Sequence, residues 1–270
     1  MFCDAHFHLL PSLEAAELQK QMSQLFVPLI QDGSLYRACT CAHGKDEFFH
    51  QSELIADIRR CKNISDKVVL YSSFGLHPQN PLLENIDFLE SLLRQNRIDA
   101  IGEAGFDLFT PDYKQNIENQ KKAWNNEIEL AIFYKKPLVV HERKAVDLIF
   151  ADSRRLKTVP AVVFHSFPGS KVEALSLLKR GINGFFSFGK QVLNNNKKVI
   201  DCVSNLPLEH LLLETDAPFQ TLKGENCTRP AEIIRVYDET CCLRGIPDDF
   251  YEEIEKNFTG VFGEKTVTGC

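Results

Sequence analysis

The chain has 270 residues, a formal net charge of −6, 44% hydrophobic and 25% charged residues. That length suits a single domain over residues 1–270, the size of one (β/α)8 barrel, and large enough to bury most of its unfolded surface without staples. The acidic balance excludes broad, sequence-independent wrapping of duplex nucleic acid, but not a nucleic-acid substrate, since bound cations supply positive charge that a residue count omits.

Apolar runs at 2–8, 35–42, 68–77, 100–106, 137–141, 161–167, 184–189 and 210–216 predict strands. Several are nearly continuous in Val, Ile, Leu and Phe, the composition of parallel strands covered on both faces. Amphipathic stretches between them predict helices over 82–94, 114–134, 171–180 and 191–204. In 114–134, Ile117, Trp124, Ile128 and Ala131 fall at helical spacing. Pro-Gly-Ser at 168–170 reads as a turn ahead of a helix, and Gly181 behind Lys179 and Arg180 as a helix end. After the last strand the chain runs through 225–230 into helices over 233–242 and 250–258, which close the outer ring. Strand and helix alternating in this way predict an α/β fold, a (β/α)8 TIM barrel with extra C-terminal helices.

Nine cysteines in a chain whose start is interrupted by Asp4, His6 and His8, with no apolar run of transmembrane length, predict reduced, mostly buried thiols in a cytoplasmic protein with no membrane partner. Neither the C-x-C of Cys39 and Cys41 nor the adjacent Cys241 and Cys242 has the spacing of a structural zinc site, and no cysteine is expected in the chemistry.

The chemistry gathers at strand ends. In the Asp-Ala-His-Phe-His of 4–8, alternation along a strand points His6 and His8 the same way, a natural chelating pair. His77, Glu103, His141, His165 and Asp216 each end another apolar run. In a barrel those ends cluster at one face, where active sites form. Histidine and carboxylate donors suit zinc, manganese, iron, nickel or magnesium. Glu103 is the candidate bridge between two divalent cations. Arg143, on the same strand end as His141, is a candidate contact for an anionic substrate, with a salt bridge to Asp107 or Glu142 as the structural alternative. Asp4 is expected to steady the His6–His8 pair or a neighbouring loop, and Asp107 the loop after Glu103. His43 and His50 read as surface residues of a polar, helix-like segment. His210 opens its strand at the non-catalytic end, and Trp124 reads as core.

The sequence resembles the TatD-related DNase family of metal-dependent hydrolases. The matching stretches are 4–8, Gly-Leu-His-Pro at 75–78, Ile-Gly-Glu-Ala-Gly-Phe-Asp at 101–107, Pro-Leu-Val-Val-His-Glu-Arg at 137–143, His-Ser-Phe-Pro-Gly at 165–169 and Glu-Thr-Asp-Ala-Pro at 214–218, in the family's order. Asn-Phe-Thr-Gly-Val-Phe-Gly at 257–263 resembles the family's C-terminal helix. The resemblance implies that His6, His8, Glu103 and Asp216 hold one cation, and Glu103, His141 and His165 the other. His77 would face a substrate phosphate without being a primary ligand, and Asp216 would also orient or deprotonate the attacking water. The chain departs from the family pattern at Ser166 and Pro168, at Cys-Thr-Arg-Pro of 227–230, and at Gln220, where an apolar side chain is commoner. These departures bear on the substrate rim.

The expected activity is phosphodiester hydrolysis, as exonucleolytic trimming of a DNA substrate, with Glu103 and Asp216 as the catalytic carboxylates. The alternatives are hydrolysis of a small amide, ester or lactone at the same centre, and a non-catalytic metal-binding scaffold. Lys45, Lys114, Lys190, Lys223 and Arg229 in loop-like places favour a phosphate substrate.

Overall fold

The computed structural model describes residues 1–9, 26, 29–30, 34–61, 64–245 and 249–265. Eight strands run in one parallel sheet in chain order: β1 (Phe2–Phe7), β2 (Tyr36–Ala42), β3 (Val68–Phe74), β4 (Ala100–Asp107), β5 (Leu138–Arg143), β6 (Val162–Phe164), β7 (Gly184–Phe188) and β8 (Leu211–Leu213). The two edges meet just beyond β8, where Asp216 N donates to His6 O at 2.9 Å and His8 N donates to Ala217 O at 2.7 Å. The seam therefore closes at the strand ends that carry the predicted chemistry, and the TIM-barrel expectation holds.

Helices α1 (Lys45–Arg60), α2 (Ile86–Arg94), α3 (Pro111–Gln115), α4 (Ile117–Tyr134), α5 (Val146–Ala151), α6 (Ser153–Leu156), α7 (Lys171–Lys179) and α8 (Lys197–Asn205) lie between the strands, and α9 (Ile233–Arg244) and α10 (Phe250–Phe262) follow β8. The stretch 114–134, expected as one helix, is two. Thr110 caps α3 through its side chain, and the chain breaks at Asn116, whose ψ of 13° leaves the helical region. Likewise 191–204 divides into a 3₁₀ turn, Lys190–Asn194, and α8, because Asn195 takes a left-handed φ of 52° and Asn196 caps a new helix. The 168–170 turn does precede a helix: Ser170 and Glu173 form a reciprocal capping box at the start of α7.

Three strands end three residues short of their apolar runs. β3 stops at Phe74, β6 at Phe164 and β8 at Leu213, so His77, His165 and Asp216 lie on the turns that follow. The backbone leaves the ladder there to aim side chains inward, and Ser166 and Asp216 take left-handed φ values of 48° and 51°. Gly102 is required on β4: its φ is +141°, and a Cβ there would stand 2.5 Å from Val139 O. That close approach brings β4, and with it Glu103, against β5.

Trp124 is core, as expected, with its indole N–H donating to Asp152 Oδ2 at 2.6 Å. Asn257 of α10 is buried and donates to Leu208 O and Leu211 O at 2.8 and 2.9 Å, which locks the C-terminal helix to the start of β8. The described cysteines are free thiols, five of them buried. No helix among the described residues is long and apolar enough to cross a membrane.

Candidate metal centre

Glu103 points from β4 into a ring of imidazoles and sorts them between its two oxygens. Oε1 lies 2.9 Å from His43 Nε2, 3.3 Å from His6 Nε2 and 3.4 Å from His8 Nε2. Oε2 lies 2.7 Å from His165 Nε2, 3.1 Å from His141 Nδ1 and 3.4 Å from His77 Nε2. Asp216 Oδ1 completes the first group, 3.5 Å from His8 Nε2 and 3.9 Å from His6 Nε2. All six predicted ligand residues thus meet at one place, His6, His8, Glu103, His165 and Asp216 being buried.

The spacing fits a cation. Ring nitrogens face each other at 3.1 Å for His6 and His8 and at 3.2 Å for His141 and His165. Facing lone pairs repel unless a proton or a cation stands between them. Donors held at about 2.0–2.2 Å around a tetrahedral ion stand roughly 3.3–3.6 Å apart. The His6 and His8 nitrogens stand 3.1 Å from each other and 3.3 to 3.9 Å from the Glu103 and Asp216 oxygens. His6, Glu103 and His165, and His6, His8 and Asp216, each offer three donor atoms within 4.8 Å of one another.

Electrostatics keep both carboxylates ionised. Burial opposes the Glu103 charge, yet His165, His6 and His77 hold its carboxyl well below the usual range. Burial likewise opposes Asp216, and the His8 hydrogen bond with the His165 charge lowers it. Burial, aided by His165, pushes His6 down, whereas Glu103 and Glu214 overcome burial and raise His165 well above an ordinary histidine.

Neighbouring groups orient the ring. Asp107 Oδ2 lies 3.2 Å from His141 Nε2 and accepts from Gln79 Nε2 at 2.8 Å, while its Oδ1 accepts from Phe109 N at 2.8 Å. Asp107 thus pins the loop, as expected, and in addition steers His141, leaving His141 Nδ1 toward Glu103. Asp4 accepts from Thr215 N, Thr215 Oγ1, Tyr36 Oη and His6 N. It steadies the turn before Asp216 and touches neither ring. His77 Nδ1 accepts from Gln79 N at 3.2 Å, which leaves the ring proton on Nε2. Burial pushes His77 down to about 4. Its loop is held by Glu127 of α4, which accepts from Leu76 N at 2.7 Å.

His77, Arg143 and Glu103 line one cleft of about 350 Å³. Arg143 forms neither salt bridge of its structural alternative: its guanidinium lies 3.7 Å over the ring of Phe109. A second cavity of about 390 Å³ shares His141, Arg143, His165 and Asp216 with the first, so the two form one groove. Two departures from the family pattern meet on its wall. Gln220 Nε2 donates to Ser166 Oγ at 2.6 Å and to Asp216 Oδ2 at 3.2 Å.

Three sequence expectations fail. His43 is not a surface residue but lines the cleft. It follows the end of β2, so the strand-end rule applied to the other histidines would have found it. His50 is half-buried, with its Nε2 shielded from solvent. Lys190 is buried and paired with Glu225 and Glu232, which removes it from the loop cations available to a substrate. His210 donates from Nδ1 to Gly184 O at 2.9 Å at the opposite end, as expected.

Comparison with known proteins agrees with this geometry. Residues 3–263 match the family model described as TatD related DNase. YjjV of Escherichia coli (strain K12), whose name assigns it metal-dependent hydrolysis and no substrate, is 32% identical over 67% of this chain and 71% of its own. A Danio rerio relative, provisionally named deoxyribonuclease tatdn3, is 27% identical over 68% of this chain and 73% of its own. The crystal structure of the Escherichia coli TatD homologue YjjV superposes with a TM-score of 0.79 and 26% identity, covering 98% of each chain. With a barrel whose strand ends converge on one histidine and carboxylate cluster, and a family match over nearly its whole length, the chain belongs to the TatD-related DNase family and is a metal-dependent hydrolase.

Proposed function

We propose that the chain hydrolyses phosphodiester bonds of DNA, as an exonuclease, at a centre of two divalent cations. The observation that carries this reading is the division of donors by Glu103: His6, His8 and Asp216 gather on the side of one oxygen, His141 and His165 on the side of the other. The first set, with Glu103, would hold one cation and the second set, with Glu103, the other; zinc, magnesium, manganese, iron and nickel all suit such donors. When bound, the cations lower the pKa of a water toward about 7 and neutralise charge that develops on the phosphate.

The chain's own residues do the rest. Asp216 stays ionised and accepts the proton of the attacking water, oriented by the amide of Gln220. His77, neutral with its proton on Nε2, donates a hydrogen bond to a phosphate oxygen. Arg143, held over the ring of Phe109, supplies a charge-assisted contact to the same group. The rim favours phosphate over a small acyl substrate, because the groove lining mixes His77, Arg143 and Gln79 with few apolar groups. A non-catalytic scaffold is disfavoured by the presence of every expected ligand and of Asp216.

The test is to strip the protein, restore Mg²⁺ or Mn²⁺, and add end-labelled single- and double-stranded DNA beside a His165→Ala/Asp216→Asn control. Stepwise loss of nucleotides with the wild type alone supports the reading. No cleavage under any metal, with two equivalents of cation bound, discards DNA as substrate and moves the search to small esters, amides and phosphoesters.

A further inference from the structure

The mouth of β2 supplies a second donor cluster that the proposed reaction does not use. Cys41 is the penultimate residue of β2, His43 follows the strand, and Glu47 stands in the first turn of α1. His43 Nε2 lies 2.9 Å from Glu103 Oε1 and 3.5 Å from Cys41 Sγ. Cys41, His43 and Glu103 offer donor atoms within 4.8 Å of one another, and so do His8, His43 and Glu47. Around zinc, with Zn–S near 2.3 Å and Zn–N near 2.05 Å, a sulfur and a nitrogen in a tetrahedral shell stand roughly 3.6 Å apart. The observed 3.5 Å matches that edge. A hydrogen bond from His43 to Glu103 would explain the shorter contact alone. Hydrogen bonds also place the thiol, which donates to Gly102 O, and Glu47, whose Oε2 accepts from His43 N at 2.8 Å, but they leave the sulfur and the Glu103 oxygen both facing one ring nitrogen.

We propose that Cys41, His43 and Glu103 hold a third, zinc-type cation beside the two of the reaction centre, with the Glu47 carboxylate close to His43. The inference rests on the two-cation reading, because it shares Glu103 with that centre. Thiolate and imidazole donors select zinc or cobalt over magnesium. Cys41 now donates its S–H to Gly102 O at 2.8 Å. Loading would break that S–H bond, form a sulfur–metal bond and release one proton to solvent for each cation taken up. Held there, the cation would add a fixed positive charge to the β2 side of the cleft.

The full-length protein, stripped and reloaded with Zn²⁺, is assayed for bound metal, and a parallel sample is loaded with Co²⁺ and read by absorption. The expected result is three equivalents of Zn²⁺ in the wild type and two in His43→Ala, with a cobalt–thiolate charge-transfer band that Cys41→Ser abolishes. Two equivalents in the wild type and in His43→Ala alike, with no thiolate band, would overturn the third site and leave the two-cation reading intact. Fewer than two equivalents in the wild type would overturn both. The wild-type count and band need no variant, so a variant that fails to fold leaves the test decisive.

Discussion

Replacing Asp107 by Asn removes one charge and almost no volume, yet it should loosen the metal centre from one residue behind it. Asp107 Oδ1 is fixed by the backbone N–H of Phe109, so Oδ2 must face both Gln79 Nε2 and His141 Nε2. Those contacts, acting against burial, hold the carboxyl at about 2. In the variant the amide either turns its NH2 toward two N–H donors or gives up the Phe109 bond. In the first case His141 loses its acceptor and with it the preference for a bare Nδ1 facing Glu103; in the second the neutral amide oxygen still faces His141, but the charge is gone and the Phe109 anchor that fixes its position is lost. Loss of a group that orients a histidine ligand typically weakens cation affinity by about 10–100-fold, which corresponds to roughly 1.4–2.7 kcal/mol. The assay is a competition titration of Zn²⁺ against a chromogenic chelator, run beside urea unfolding of the metal-free protein. Weakening in that range, with unfolding close to wild type, is the expected result. An affinity within twofold of wild type would refute the argument that Asp107 steers His141.

Other consequences concern fold, pH and substrate. Asn257→Ala leaves Leu208 O and Leu211 O without their buried donor; at about 1–3 kcal/mol for each orphaned group, urea unfolding should show a loss of about 2–6 kcal/mol, and a loss under 1 kcal/mol would contradict the anchoring role. Glu127 is fully buried with its Oε2 unpartnered, and burial raises its carboxyl well above the ordinary range. The folded state therefore binds more protons than the unfolded one above the unfolded carboxyl's pKa, and stability falls as pH rises from there toward the folded value. Glu127→Gln keeps an acceptor for Leu76 N and should flatten that slope between pH 5 and 8; parallel curves for the two proteins would count against it. Phe219 is half-exposed at the cleft, its ring 5.2 Å from that of His8. If it stacks on a base, worth about 1–3 kcal/mol, Phe219→Ala should raise KM for single-stranded DNA by roughly 5–150-fold with kcat little changed, whereas an unchanged KM would remove it from the substrate path.

The barrel was legible because its strands are continuous apolar runs separated by amphipathic stretches, a pattern local enough to read residue by residue. Its exact ends were not. Whether the chain leaves the ladder at Phe164 or Phe167 depends on left-handed backbone at Ser166, which residue type does not dictate. The break at Asn116 was hidden for the same reason. The metal-type ligands were legible because each follows an apolar run, and the family resemblance sorted them into two sets. His43 escaped because the residues after it are polar and helix-like, which made a surface reading natural. Lys190 was misread because its partners, Glu225 and Glu232, are supplied by chain more than thirty residues away. The grip of Asp107 on His141 and of Glu127 on Leu76 belongs to the same class, pairs made by packing β4 on β5 and α4 on the loop after β3, and invisible to any local pattern.

The central claim is that the strand-end cluster is a cation centre divided by Glu103. Anomalous scattering from a Mn²⁺-loaded crystal tests it most directly. The account predicts one peak among His6, His8, Glu103 and Asp216 and a second among Glu103, His141 and His165. Manganese bound elsewhere, with no peak between the two oxygens' histidine sets, would contradict it.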